Sequence, residues 1–347
     1  MSGGQQRVLA VLTVLAAGLG AGACTAGVYD PTPLPTLSSP SPSPAAPSLS
    51  ASRSPSVSPT PSPSDTDIVS ANCLRSYAPT DSLPTPGQMP RGSTMRRIQD
   101  RGYLIAGVSA DSLLLGARNP VSNEIEGFDI DMLHAVSQAL FGRPDKIELK
   151  VITSGQRLPA LQEGDVDIVA RNMTINCERW KDIAFSSEYY RAGQKVLVRK
   201  GEAAQSGGPI SNIEDLAGRK VCAPDPSTSL TTLRTFKDIQ AVGAATHTGC
   251  LVLFQRGEVD AITGDDTVLA GLADQDPFAE VVRATPFTAE PYGLGVNQKD
   301  VDFVRFLNGV LEQVRADGRW TKSYNRWLAG SLGRAPAPPE PVYGRAP

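Results

Sequence analysis

N-M-T-I-N-C-E-R-W-K-D-I-A-F-S-S-E-Y-Y, from Asn172 to Tyr190, decides how this chain is read. It follows V-D-I-V-A, Val166–Ala170, which has the character of a buried strand. Thr174, Ile175 and Asn176 then turn the chain into a short helix start, and Arg179 stands one residue after Glu178. A strand that opens onto a helix start presents free backbone N–H groups and a positive dipole end, which suits an anion. A guanidinium beside those groups can grip a carboxylate through two hydrogen bonds. The stretch therefore predicts a seat for a small carboxylate. The plainer alternative is that Glu178, Arg179, Lys181 and Asp182 form only a solvated helix face.

Outward from that stretch, the pattern is strand and helix in alternation. Ser93–Asp100 reads as a short helix, and order is expected to begin there. Tyr103–Val108 reads as a strand, Ser109–Asn123 as a loop or weak hairpin, and Gly127 to Leu140 as a helix whose apolar face carries Ile130, Leu133, Val136 and Leu140. Ile147–Ile152 is a strand and Arg157–Gly164 a short helix. This βαβαβ spacing predicts a parallel sheet with right-handed crossovers. A second round follows: strands at Lys195–Arg199, Lys220–Ala223 and Ala261–Thr263, with helical segments at Asn212–Ala217, Thr228–Phe236, Leu251–Gly257 and Val268–Ala273. A strand at Tyr292–Val296 and helices at Val301–Gly318 and Trp320–Leu328 close the pattern, and the Pro-rich tail is expected to fray. The fold class is α/β, in two units facing one another. Ligands in open α/β sheets sit beyond the carboxyl ends of strands. Here one such end leads to Asn172–Arg179 and another to Asp265 and Asp266. One offers a cation and amides, the other carboxylates, so a zwitterion would satisfy both. Asp265 and Asp266 also suit capping of the helix that follows, and one can cap while the other faces a ligand.

The ends of the chain read differently. Residues 1–24 form a leader, with Arg7 ahead of an apolar Val8–Leu19 too short for a comfortable membrane span. It ends in small residues before Cys24, which resembles the bacterial lipobox and marks Cys24 for lipidation. Residues 25–72 are dominated by Pro, Ser and Thr and read as an extended spacer, on the order of 100 Å long at about 3.1 Å per residue. With Cys24 set aside, four cysteines remain, for which three pairings are possible. Cys222 and Cys250 lie in one region and are paired, which leaves Cys73 with Cys177. A metal site from Cys222, His247 and Cys250 is the alternative, short of a fourth ligand and of a tight Cys-x-x-Cys pair. His134 and His247 otherwise read as surface groups. At 347 residues and net charge −3 the chain has no basic face for nucleic acid. It shows no P-loop, nucleophile elbow or Ser/His/Asp grouping, so neither an enzyme nor a cofactor or resident metal is expected.

Five motifs in order carry a resemblance. G-F-D-I-D-M at 127–132, N-M-T-I-N-C-E-R at 172–179, F-S-S-E-Y-Y at 185–190, D-L-A-G-R-K-V at 215–221 and V-D-A-I-T-G-D-D-T at 259–267 together resemble the family 3 extracellular solute-binding proteins, the polar-amino-acid receptors of ABC importers. With its lipobox, Pro-rich spacer and four further cysteines, the chain resembles the actinobacterial glutamine/glutamate-binding lipoproteins of that family. The resemblance implies a two-lobe, periplasmic-binding-protein-like clamshell with two hinge strands: lobe 1 from 93–193 and 288–330, lobe 2 from 194–287, and a tail at 331–347. It places the α-carboxylate on Arg179 and the loop amides near Thr228 and Ser229, further ligand bonds on Asn172 and Thr174, and the α-ammonium on Asp265. Pro226 stands where a Gly is usual, and Asn172 where many members have Gly. Ser112 and Ser154 occupy positions where glutamine receptors often carry aromatics, while Arg157, with Arg171 as a second candidate, suits an acidic side chain. A lipid-anchored, extracytoplasmic monomer delivering glutamate, aspartate or their amides to a permease is the implied role. A sensor for a membrane signalling protein is the alternative.

Overall fold

Residues 72–346 are described by the structure, a computed structural model, and all fall within one compact unit, Pro61–Pro347. The expected leader, Cys24 and residues 25–71 of the expected spacer lie outside the described residues.

Chain order begins with α1 (Thr94–Arg101), capped by the Ser93 hydroxyl, which accepts from Arg96 N. β1 (Leu104–Val108) leads to a small hairpin sheet of β2 (Asp111–Ser112), β3 (Gly116–Arg118) and β4 (Ile125–Glu126). α2 (Phe128–Phe141) starts at Gly127, whose φ of 146° and close approach to the Leu115 carbonyl leave no room for a Cβ. It buries Phe128, Ile130, Leu133, Val136 and Leu140 and stops at Gly142 in the left-handed region. β5 (Ile147–Val151), α3 (Arg157–Gln162), β6 (Ile168–Ala170) and β7 (Ile183–Phe185) complete the first round. The second comprises β8 (Tyr190–Arg199), β9 (Lys220–Pro224), α4 (Thr228–Leu233), β10 (Gln240–Ala244), α5 (His247–Gln255), β11 (Ala261–Asp265), α6 (Asp266–Gln275), β12 (Ala279–Val281) and β13 (Thr288–Tyr292). β14 (Gly295–Asn297), α7 (Val301–Ala316), α8 (Arg319–Trp327) and α9 (Ala329–Leu332) then return to the first.

Two sheets result. The first runs β5-β1-β6-β14-β7, with β5, β1 and β6 parallel. The returning β14 inserts antiparallel between β6 and β7, so this sheet is mixed rather than wholly parallel. The second runs β10-β9-β11-β8-β12, parallel at β10, β9 and β11 and antiparallel at β8. Each sheet forms its own lobe. The first lobe has one core, while the second packs apolar residues on both faces of its sheet.

β8 and β13 cross between the lobes side by side. Tyr190 pairs with Tyr292 at one end and Gln194 with Thr288 at the other, antiparallel throughout. The first-lobe end is anchored in an aromatic cluster, with Tyr190 5.7 Å from Tyr292 and 5.6 Å from Phe128 between ring centroids. Beyond Gln194, β8 goes on into the second sheet against β11.

Two expectations are corrected. Order does not begin near Ser93, and the tail is not frayed. Residues 73–92 and the tail both strap the first lobe. The Ser76 hydroxyl donates to the Phe185 carbonyl at 2.8 Å, and Asn308 Nδ2 donates to the Ser76 hydroxyl and the Tyr77 carbonyl at 2.9 and 2.7 Å. The tail adds a bond from Ser76 N to the Val342 carbonyl at 2.9 Å, and the Arg345 guanidinium lies 3.7 Å from the Trp180 ring centroid. A Pro-rich segment cannot build a core, yet its carbonyls still accept from a partner strand and its few large side chains still pack. Both expected disulfides, Cys73–Cys177 and Cys222–Cys250, are formed, which removes those thiols from any metal site. Removing residues 334–347 should lower the melting temperature by about 4–8 °C, the size of a loss near 2 kcal/mol in a domain of this length; calorimetric scans of the two chains check it.

Candidate functional site

β6 ends at Ala170, and the Asn172–Arg179 stretch begins directly beyond it. Asn172 has φ 36°, a left-handed backbone that Asn tolerates better than most residues, and its N–H donates to Asp129 Oδ2 at 2.8 Å. The loop is then pinned to the second crossover: Ile175 N donates to the Pro291 carbonyl at 2.7 Å and Gly293 N to the Met173 carbonyl at 3.0 Å. Arg179 opens a short 3-10 turn, not an α-helix. Its N–H donates to Asn176 Oδ1 at 2.9 Å and its Nη1 to the Thr174 carbonyl at 2.6 Å. Half-buried, it is the cation of the loop that reaches the cleft. Desolvation lowers its proton affinity, while Glu290 and then Asp265 raise it.

Across the cleft, Ser227 caps α4 by accepting from Leu230 N at 3.0 Å, so Thr228 is the first residue of a helix aimed at the first lobe. The Thr228 and Thr174 hydroxyls lie 3.4 Å apart across the seam. Ser229 is buried, and its carbonyl accepts from Gln194 Nε2 at 3.0 Å. Asp265, the last residue of β11, is buried, with Oδ2 accepting from the Tyr292 hydroxyl at 2.6 Å and Oδ1 without a partner among the described residues. Burial, then the neighbouring Glu290, hold its carboxyl well above the usual carboxylate range. Asp266 accepts from Thr267 N at 2.8 Å and Gly193 N at 3.4 Å. The two adjacent carboxylates therefore diverge, Asp266 toward backbone donors and Asp265 toward the seam.

Arg157 and Arg171 are both buried, Arg157 not being a surface residue of its helix. Arg157 donates from Nε to the Ser154 carbonyl at 2.9 Å and from Nη1 to the carbonyls of Arg171 and Asn172 at 3.3 and 3.2 Å, leaving Nη2 uncommitted. Arg171 donates from Nε to the Ile152 carbonyl and from Nη1 to the Ser154 hydroxyl, both at 2.8 Å. Arg171 thus holds the loop together, whereas Arg157, Arg179, Ser154 and Thr228 line a cavity of about 430 Å³ between the lobes. Arg157, Arg179, Thr174, Thr228 and Asp265 are brought together; Asn172 and Arg171 stand behind the loop.

Two residues were not anticipated. Glu290, in the middle of β13, is fully buried and accepts from Thr174, Thr228 and Thr288. Only its acidic character inside an apolar strand could have singled it out. His247, expected at the surface, is buried at the start of α5, where burial and the Arg171 charge push its pKa down to about 3. The adjacent Thr248 hydroxyl donates across the seam to the Asp111 carbonyl at 3.1 Å.

Residues 104–330 match a model of the bacterial extracellular solute-binding proteins, family 3. The chain belongs to that family. Among curated relatives it is 35% identical over 237 residues to the glutamine-binding protein GlnH of an ABC transporter in Bacillus subtilis, covering 68% of this chain and 84% of that protein. It is 30% identical over 264 residues to the glutamate-binding protein GluB of Corynebacterium efficiens, covering 73% and 86%. Among solved structures, an ancestral arginine-binding protein bound to glutamine aligns with a TM-score of 0.60 at 30% identity, covering 66% of this chain and 98% of that one. An arginine-binding protein of T. maritima aligns at 0.61 and 26%, covering 68% and 99%. Family 3 members are binding receptors rather than enzymes, and the two-lobe architecture described above is theirs.

The two buried groups with pKa values displaced toward each other's range give opposite pH slopes. Burial raises Asp129 to about 6, so its contribution is present at low pH and lost as the pH climbs toward 6. His247 is depressed from 6.5 to about 3, so its contribution is present above 6.5 and lost as the pH falls. His247→Gln should therefore remove a loss of about 2–3 kcal/mol between pH 7.5 and pH 4.5, at about 1.4 kcal/mol per pH unit. Urea denaturation of both proteins at the two pH values measures it.

Proposed function

We propose that this chain is a lipid-anchored extracytoplasmic receptor that captures an L-amino acid, glutamate, aspartate or one of their amides, and delivers it to an ABC importer in the membrane. The observation that carries this reading is the opposition across one seam of Arg179 on the first lobe and Asp265 on the second, beside a cavity sized for a small molecule. A zwitterion has one group for each. Its α-carboxylate goes to Arg179 and the N–H groups at the start of α4 around Thr228 and Ser229. Its α-ammonium goes to Asp265, where the unpartnered Oδ1 faces it, and to the Thr174 hydroxyl. Arg157 Nη2 remains for the oxygen of a side-chain carboxylate or amide.

Closure follows from the same contacts. The crossovers β8 and β13 are the only described strands that join the lobes, so bending there opens the seam and parts Thr174 from Thr228. Ligand bound between the lobes favours the closed state by the difference between its two-lobe and one-lobe contacts. Water expelled on closure strengthens each charge-assisted bond. The relatives named for glutamine and glutamate binding support the ligand class, and Cys24 with its small-residue leader supports the anchor.

Arg179→Ala should weaken amino-acid binding by about 100- to 1,000-fold, the cost of leaving a ligand carboxylate without its partner. Calorimetric titration of refolded, ligand-stripped protein measures it, with near-ultraviolet circular dichroism as the check on the fold. Near-native affinity in that variant contradicts the assignment.

A further inference from the structure

The lobes also touch away from the cavity. The turn Leu113–Leu115, between β2 and β3, belongs to the first lobe, and β2 packs against both α5 and α6 of the second. From α5, the Thr248 hydroxyl donates to the Asp111 carbonyl at 3.1 Å. From α6, Val268 packs into the apolar core of the first lobe, and Gly271, about one turn further on, faces Leu113. A Cβ built on Gly271 would lie 2.6 Å from the Leu113 carbonyl oxygen, and its three nearest neighbours would all be atoms of Leu113.

The turn is fixed in place. Leu114 holds φ 75°, a backbone conformation costly for a bulky side chain. The Leu114 and Leu115 carbonyls accept from Phe128 N and Asp129 N, both at 2.9 Å, which ties the turn to the start of α2. Gly271, for its part, lies in the interior of α6 and outside the left-handed region, so its own backbone does not call for glycine. Glycine weakens a helix interior relative to alanine. What requires it here is the opposite lobe. Gly155 of the first lobe approaches Pro226 of the second in the same manner, with 2.9 Å from a built Cβ to the proline Cδ. Those two residues line the cavity, so a change there would disturb ligand and closure together. Gly271 and Leu113 do not line it, which separates the two effects.

We propose that Gly271 is a positioning residue for ligand capture: the absence of a side chain there lets α6 settle on the Leu113 turn, and this contact sets how far the lobes close. The proposal rests on the receptor reading above. Bending at β8 and β13 parts α6 from the turn, and in that open state a methyl group at position 271 meets nothing of the first lobe. In the closed state it meets a backbone carbonyl that is held by α2. The methyl group therefore penalises closure alone. A ligand whose affinity depends on contacts with both lobes loses by that penalty, whatever its side chain.

Gly271→Ala tests this. In titrations of ligand-stripped protein with L-glutamine, L-glutamate, L-asparagine and L-aspartate, the variant should bind each amino acid that the wild type takes about 10- to 100-fold more weakly, by one common factor. Its ligand-free melting temperature should equal or exceed that of the wild type, since alanine favours the helix. Small-angle X-ray scattering should show the wild type contracting on saturation with its tightest amino acid and the variant contracting less. Gly330→Ala, in α9 with open space around it, should leave affinity unchanged and is the control. Unchanged affinity in Gly271→Ala overturns the proposal. A loss confined to one amino acid also overturns it, because that places the effect in the ligand site. A variant that fails to fold, or whose ligand-free melting temperature falls, overturns it as well, because the contact is then needed without closure. Wild-type protein that binds none of the four amino acids strikes the receptor reading itself, whereas tight binding by both proteins strikes only the role of Gly271.

Discussion

Charge held away from water constrains this molecule more than any other feature. Arg157, Asp265 and Glu290 are buried at the seam between the lobes, and Arg179 is half-buried beside them. Each would be costly alone. They are tolerated because each is fixed by hydrogen bonds that come from a different part of the chain. Arg157 takes the carbonyls of the loop after β6, Asp265 takes the Tyr292 hydroxyl from β13, and Glu290 takes a threonine from each lobe. The site is thus a product of the two-lobe fold rather than of any one segment.

The fold, in turn, serves to bring those segments together. A strand that crosses once between two lobes would leave a swivel. Two strands paired from Tyr190–Tyr292 to Gln194–Thr288 limit the motion to bending and keep Thr174 opposite Thr228. The first-lobe end of this pair is set in aromatic rings, and the Arg179 loop is braced from outside by the Cys73–Cys177 disulfide and the bond from Trp180 Nε1 to the Cys73 carbonyl. The segment that leads in from the spacer therefore ends directly against the loop that carries the carboxylate-seeking arginine. Changes in that loop and tension in the segment bear on the same residues.

Much of this was legible in the sequence. Mostly apolar stretches such as Val166–Ala170, and the helix periodicity of Phe128–Leu140, mark elements whose burial is their main physical content. The strand-to-turn chemistry at Asn172–Arg179 and at Asp265 follows from backbone groups that every such turn exposes. What was not legible depends on partners distant in the chain. Glu290 is one acidic residue in T-A-E-P-Y-G, and its meaning comes from threonines 116 and 62 positions away. β10, with its exposed Gln240 and Ala241, carries no apolar alternation. His247 gave no sign of burial because its neighbours in sequence are small and polar, and the tail's composition concealed that it pairs with Ser76. Arg157 was legible as a residue of the cleft, but not as one that commits most of its donors to backbone.

The most direct measurement is a crystal structure of the protein refolded in the presence of L-glutamine. The account predicts one ligand between the lobes, its α-carboxylate on the Arg179 guanidinium and the first N–H groups of α4, its α-ammonium within hydrogen-bond reach of Asp265, and its side-chain oxygen toward Arg157. A ligand seated elsewhere, or a closed seam in which Arg179 and Asp265 touch no ligand atom, would contradict it.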